Sequence, residues 1–123
     1  MAKVQEKVII KNFAKPDEVR NFEKGKIELV KVNGTVMGKA TLQPGWKWST
    51  HVKPIAKTAL CDAPHFQYIV SGQMTLKTES GEEFTVKAGD ILKIGAGHDA
   101  WVVGNEPLIA VDFQGLADYA KPK

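Results

Sequence analysis

The sequence predicts an all-β chain folded as one single-domain sandwich or barrel. Three observations carry that expectation. Short apolar-alternating segments recur at regular spacing, turn residues separate them, and no sustained helical period runs along the chain. A length of 123 residues with 43% hydrophobic side chains suffices for one core.

The elements follow in chain order. Lys3, Lys7, Lys11 and Lys15 share one strand parity, with Val8 and Ile10 on the other side, which reads as a lysine-dotted edge strand protected against edge-to-edge pairing. Pro16–Glu23 carries Val19 and Phe22 at helical spacing. Ile27–Val32 and Thr35–Leu42 flank Asn33-Gly34, a strong two-residue hairpin signal because a type I′ turn needs positive φ at both central positions. Trp46–Val52 and His65–Ser71 read as strands. Met74–Thr78 and Glu83–Val86 flank a second turn at Ser80-Gly81. Ile91–Ile94, Ala100–Val103 and Leu108–Phe113 complete the set, and Leu116–Ala120 suggests a terminal helical turn.

Composition excludes several function classes. The formal net charge is +3, but Arg20 is the only arginine, and arginine is the residue that reads phosphate and guanine bidentately. No nucleic-acid partner is expected. No apolar run approaches the roughly 20 residues that span a bilayer, and the lysine-rich start lacks the apolar block of a signal peptide. Cytoplasmic residence without membrane association is the expectation. Cys61, the single cysteine, cannot form an internal disulfide. Neither a phosphate-binding glycine loop with a following Lys-Ser/Thr nor a serine on a nucleophile elbow occurs.

The chain has three histidines, and each lies within or beside a glycine-spaced pattern: Gly45-x5-His51, His65-x6-Gly72 and Gly89-x5-Gly95-Ala96-Gly97-His98. This spacing resembles the two motifs of the cupin superfamily over roughly 34–115. The phrases Trp48–Pro54 and Gly97–Gly104 look like those of small single-domain bacterial cupins. The resemblance implies a cupin-type β-barrel, that is a double-stranded β-helix or jelly roll, in which the motif residues hold a metal. On this basis residues 1-33 form N-terminal strands and an edge segment, 34-115 the cupin core, and 116-123 a C-terminal tail.

The pattern also departs from that of the family. Lys53 occupies the second histidine position and His65 the glutamate position. Gly95 replaces the proline, Ala100 stands where the last ligand histidine belongs, and Gly104 replaces the asparagine. The resemblance implies His51, His65 and His98 as candidate ligands of one divalent transition metal, such as zinc, iron, nickel or manganese.

Strand parity bears on each candidate. His65 and Gln67 share a face, which the resemblance turns inward. His98 shares the parity of Ala100 but lies two residues, about 6.6 Å, before it, so a bend or bulge is needed to bring it to a metal. His51 shares parity with Lys47, Ser49 and Lys53, opposite the Trp46, Trp48 and Val52 face. Parity alone therefore turns it to solvent, whereas the resemblance turns it into the barrel. Cys61 shares the parity of His65 and is either a cavity-facing soft ligand or a small buried apolar residue, with Pro64 interrupting continuous pairing. Lys53 is either an anchor for an anionic substrate or a solvated side chain. Asp99, adjacent to His98 on a strand, points away from it.

Two functions follow. The first is a binding barrel that holds a small molecule or merely a homodimer contact built on Trp46 and Trp48; in either function Gln67, Trp101, Lys53 and Cys61 are the candidate ligand-binding residues. The second is a metal-dependent enzyme, an oxygenase, isomerase or similar, acting on a small organic substrate at a histidine-bound ion. The incomplete ligand pattern favours the first.

Overall fold

Asn33 and Gly34 adopt φ of 46° and 84°, the two positive values a type I′ turn demands. The hairpin they close sets the register of the computed structural model, which describes residues 8–114 and 116. Its two arms pair from Val32↔Thr35 out to Gly25↔Leu42.

Among the described residues the strands are β1 (Glu18–Phe22), β2 (Gly25–Val32), β3 (Thr35–Leu42), β4 (His65–Ser71), β5 (Gln73–Thr78), β6 (Glu83–Lys87), β7 (Ile91–Ile94), β8 (His98–Val103) and β9 (Leu108–Asp112). Two one-turn helices, α1 (Trp48–His51) and α2 (Lys53–Ala56), lie between β3 and β4. The strands form a six-stranded sheet ordered β1-β2-β3-β9-β4-β7 and a three-stranded sheet ordered β6-β5-β8, antiparallel throughout. The sheets are stacked without closing into one hydrogen-bonded cylinder.

One apolar core joins the two sheets. Ile27, Leu29, Ala40, Leu42, Ile69 and Leu108 come from the larger sheet, and Met74, Leu76, Val86, Ala100 and Val102 from the smaller. These are the inward positions of alternating strands, and fully burying each large side chain is worth about 1.5–3 kcal/mol.

Four sequence expectations require correction. Trp46–Val52 is not a strand: after a turn at Gly45 (φ 90°) the chain enters α1 and α2. Trp48, Val52 and Ala56 are buried at four-residue spacing, a helical stripe. A spacing of four also preserves strand parity, so the apolar pattern fitted both periods. Pro16–Glu23, with its helical spacing, contains β1, which pairs with β2 and places Phe22 opposite Gly25. A Cβ at Gly25 would run into the Phe22 ring, so the glycine makes room for the aromatic side chain.

The lysine-dotted strand is absent from its described part. Lys11 and Lys15 lie outside any strand, and Lys11 pairs with Asp17 at 3.0 Å. Lys3 and Lys7 lie outside the described residues, as does the helical turn expected at Leu116–Ala120 apart from buried Leu116. Finally, Trp46 and Trp48 are each only 2% exposed. They fill the core of their own chain and cannot form the dimer contact assigned to them. Exposed large apolar side chains, among them Phe66, Tyr68, Val70 and Ile91, lie instead on the outward face of β4 and β7. No helix among the described residues is long and apolar enough to cross a membrane.

Candidate metal centre

Alternation along β4 turns His65, Gln67 and Ile69 into the sandwich and Phe66, Tyr68 and Val70 out. β9 runs antiparallel beside β4, with Gln67 opposite Asp112, so a carboxylate stands next to the inward polar pair. From the other sheet, β8 begins at His98 and turns His98, Ala100 and Val102 inward. Gly97, at φ 92°, supplies the bend that lets the strand begin this early. Cys61 lies in the loop before β4, where its backbone pairs with His98: Cys61 N–H donates to His98 O at 2.8 Å and Gly97 N–H to Cys61 O at 2.7 Å.

These three segments bring Cys61, His65 and His98 together. One ligand atom from each lies within 4.8 Å of the others, and all three residues are buried. His65 Nδ1 donates to Asp112 Oδ2 at 2.7 Å and its Nε2 faces Cys61 Sγ at 3.7 Å. His98 Nδ1 donates to Gly95 O at 2.9 Å, so its neutral ring carries the lone pair on Nε2. The Asp112 carboxylate also accepts from Gln67 Nε2 at 2.9 Å and Gln114 N–H at 2.7 Å. It thereby fixes His65 and Gln67 together.

Burial sets the electrostatics. It pushes the Cys61 thiol up to about 11, against the opposing effect of its contact with the Ala63 carbonyl. Burial, and then the neighbouring His65, hold His98 below the usual imidazole range. Without an ion, then, Cys61 is a neutral thiol and His98 a neutral imidazole near pH 7.

The donor types, one thiol and two imidazoles, suit a transition-metal ion, and one donor pair has the matching spacing. Ideal tetrahedral bonds of about 2.3 Å to sulfur and 2.0–2.1 Å to nitrogen place those two atoms about 3.5 Å apart, and the Cys61–His65 separation is 3.7 Å. Each histidine has its Nδ1 hydrogen held by an acceptor, the outer arrangement that orients metal-binding imidazoles. The cavity beside the donors, about 30 Å³, is walled by Leu42, Trp46, Trp48 and Leu76 and also takes in Gln67.

Three of the sequence candidates, His51, Lys53 and Trp101, lie elsewhere. His51 does not join the cluster: it ends α1, where Nδ1 accepts from Lys47 N–H at 3.0 Å and Nε2 lies 3.4 Å from Glu23. Lys53 is exposed on α2. Trp101 faces away from the cavity, its ring under Lys47 Nζ at 5.2 Å. Gln67 and Cys61 are at the site. Asp99 serves α1 rather than His98, accepting from Ser49 N–H at 3.0 Å. A second, open groove of about 310 Å³, between Gly72, Lys87 and Asn105, contains none of the sequence candidates.

Sequence reading missed Asp112 and the two tryptophan walls. A signal for Asp112 was present, since it has the inward parity of Leu108 and Ala110 and interrupts the apolar face of a strand. A carboxylate there requires buried donors.

No protein-family model matches the chain, and no curated protein sequence does. Solved structures do. A Klebsiella pneumoniae protein with a double-stranded β-helix domain superposes with a TM-score of 0.59 at 23% identity, over 89% of this chain and 90% of that one. A protein from Rhizobium leguminosarum bv. viciae gives a TM-score of 0.63 at 14% identity, over 96% of this chain and 100% of that one. Oxalate decarboxylase from Lactobacillus farciminis, solved as its formate complex, gives 0.56 at 22% identity, over 80% of this chain but 30% of the enzyme. With two stacked antiparallel sheets and these neighbours, the chain has the cupin-type, double-stranded β-helix fold.

Proposed function

We propose that this chain is a metal-binding protein of cupin-type fold that holds one divalent transition-metal ion between Cys61, His65 and His98. The observation carrying this reading is the convergence of the three donors from separate segments, with each imidazole oriented through Nδ1. A thiolate with two imidazoles suits zinc first, then iron or nickel, and suits manganese least, because manganese prefers oxygen ligands. An ion with three protein ligands keeps a further position and supplies Lewis acidity there.

The chain's own residues supply the rest. Asp112 fixes His65 and Gln67, the Cys61–His98 backbone pair fixes the other two donors, and Trp46, Trp48 and Leu42 keep bulk water out. The alternative, a metal-free barrel enclosing an organic ligand, asks for a pocket of roughly 300–1,000 Å³. The inner cavity is about 30 Å³. The weight therefore moves from the binding-barrel reading to the metal reading, with Cys61 in the place the sequence assigned to His51.

Elemental analysis of untagged protein, desalted without chelator, tests this. One equivalent of metal in wild type and His51→Ala, with none in His65→Ala, is the expected result. Failure of wild type to carry or take up zinc, iron, nickel or manganese would reject the reading.

A further inference from the structure

Strand β4 alternates in the opposite sense to a sheet with one face in water. Its polar members His65 and Gln67 point into the sandwich, while Phe66, Tyr68 and Val70 point out, 42–47% exposed. The neighbouring segments extend this apolar face. Ile91 of β7 stands opposite Tyr68 and is 70% exposed, and Phe113, just beyond β9, packs its ring against that of Phe66 with centroids 5.7 Å apart.

The outward face of the three-stranded sheet is built in the ordinary sense. There Gln73, Thr75 and Lys77 of β5 pair in register with Lys87, Thr85 and Glu83 of β6, a surface suited to water. Only one of the two sheets therefore turns an apolar face outward.

Area and charge point to what covers it. A free aromatic side chain exposes roughly 150–250 Å² and a branched aliphatic one somewhat less, so the five apolar residues present on the order of 400–500 Å². That is toward the upper end of the patches monomers carry. Lys93, Ile109 and Val111 widen the face at its margin, and two copies packed over it bury on the order of 1,200 Å² in total, where specific interfaces begin.

Neither β4 nor β7 carries an acidic side chain, and their one lysine, Lys93, has Nζ over the Phe66 ring at 6.0 Å. On the β3 side Lys39 stands opposite Glu28. So little net charge offers no recognition to an acidic or basic partner, whereas an apolar face matches itself, as a twofold interface requires. Lys93 on the short edge strand also opposes strand-to-strand pairing there. That leaves the face, not the edge.

We infer that the outward face of β4 and β7 is a docking surface for a second copy of this chain, the two sheets packing face to face about a twofold axis.

Sedimentation equilibrium of the full chain across about 1–100 µM tests this, with Tyr68→Arg and Ile91→Lys on the face and Val103→Arg on the outward face of the other sheet. Wild type and Val103→Arg are expected at twice the chain mass. Each face variant should fall to the chain mass, its dimer dissociation constant raised about a hundredfold. Circular dichroism and denaturant unfolding check that each variant is folded, and Ile91→Lys, at the most exposed position of the face, decides if Tyr68→Arg is not. A wild type at the chain mass throughout overturns the inference, and if it then sediments with phosphatidylcholine vesicles the face belongs to a lipid surface. A dimer that survives both face substitutions overturns it as well, because the pairing surface then lies elsewhere.

Discussion

The segment Trp46–Ala56 and the strands β4 and β8, one from each sheet, line one cavity, and each of the two regions carries histidine. The first contributes bulk: Trp48, Val52 and Ala56 are buried, while its histidine is occupied by Lys47 and Glu23. The second contributes chemistry, because alternation turns His65 and His98 inward beside Cys61 and Asp112. A histidine is thus a site residue or a structural one according to the period of the element carrying it. Substitutions at the buried apolar positions of the first region should cost stability and spare metal binding, and those at His65 and His98 in the second should cost metal binding.

The largest effect is expected for His98→Ala. It should weaken zinc binding, measured by competition with a chelating dye, by more than the roughly 10–100-fold typical of losing an outer partner. His51→Ala, as its control, should leave affinity within about twofold. Equal losses would erase the contrast between the regions.

Next comes Trp48→Ala, which empties a core position and should cost about 3–5 kcal/mol in denaturant unfolding. Lys53→Ala, exposed on the adjoining helix, should stay within about 0.5 kcal/mol.

Cys61 makes the third prediction, for metal-free protein. Its folded-state value of about 11 lies above the usual 9.0. The unfolded chain therefore loses the proton first, and the thiol's contribution is fully present below pH 9 and lost as pH rises towards 11. At about 1.4 kcal/mol per unit this amounts to roughly 3 kcal/mol. It should show as the difference between wild-type and Cys61→Ala unfolding curves at pH 8 and pH 11.

Asp112→Asn should lower metal affinity by about 10–100-fold, because the amide holds His65 less firmly than the carboxylate. The smallest effect falls to His98. Its lowered value means the unfolded state takes up the proton first, so metal-free stability should decline as pH falls below the usual imidazole value of 6.5, and decline less in His98→Gln.

The strand skeleton was legible because alternation and turn chemistry are local. Asn33-Gly34 announced its own hairpin, and His65–Ser71 displayed a two-residue period that burial reproduces. Trp46–Val52 was illegible because Trp48, Val52 and Ala56 satisfy both the strand and the helix period. The site was half legible. Parity turned His65 and Gln67 inward, and the need for a bend before His98 was met by Gly97. Cys61 remained undecided because its place depends on a pairing with His98 across 37 positions, which no local pattern reveals. Asp112 could be noticed as a carboxylate on an apolar face, but its partners come from a strand that is distant in sequence.

The reciprocal backbone bonds between Cys61 and the start of β8 also bear on kinetics. A loop tied into a strand in this way is not a door, and the Cys61 and Gly97 amides should exchange their hydrogens as slowly as those of the core strands. An ion held beneath would then leave only when the two sheets part locally. Its removal should proceed at a rate that does not increase with chelator concentration once capture outpaces reclosing, with the clock set by the sandwich rather than by the competitor.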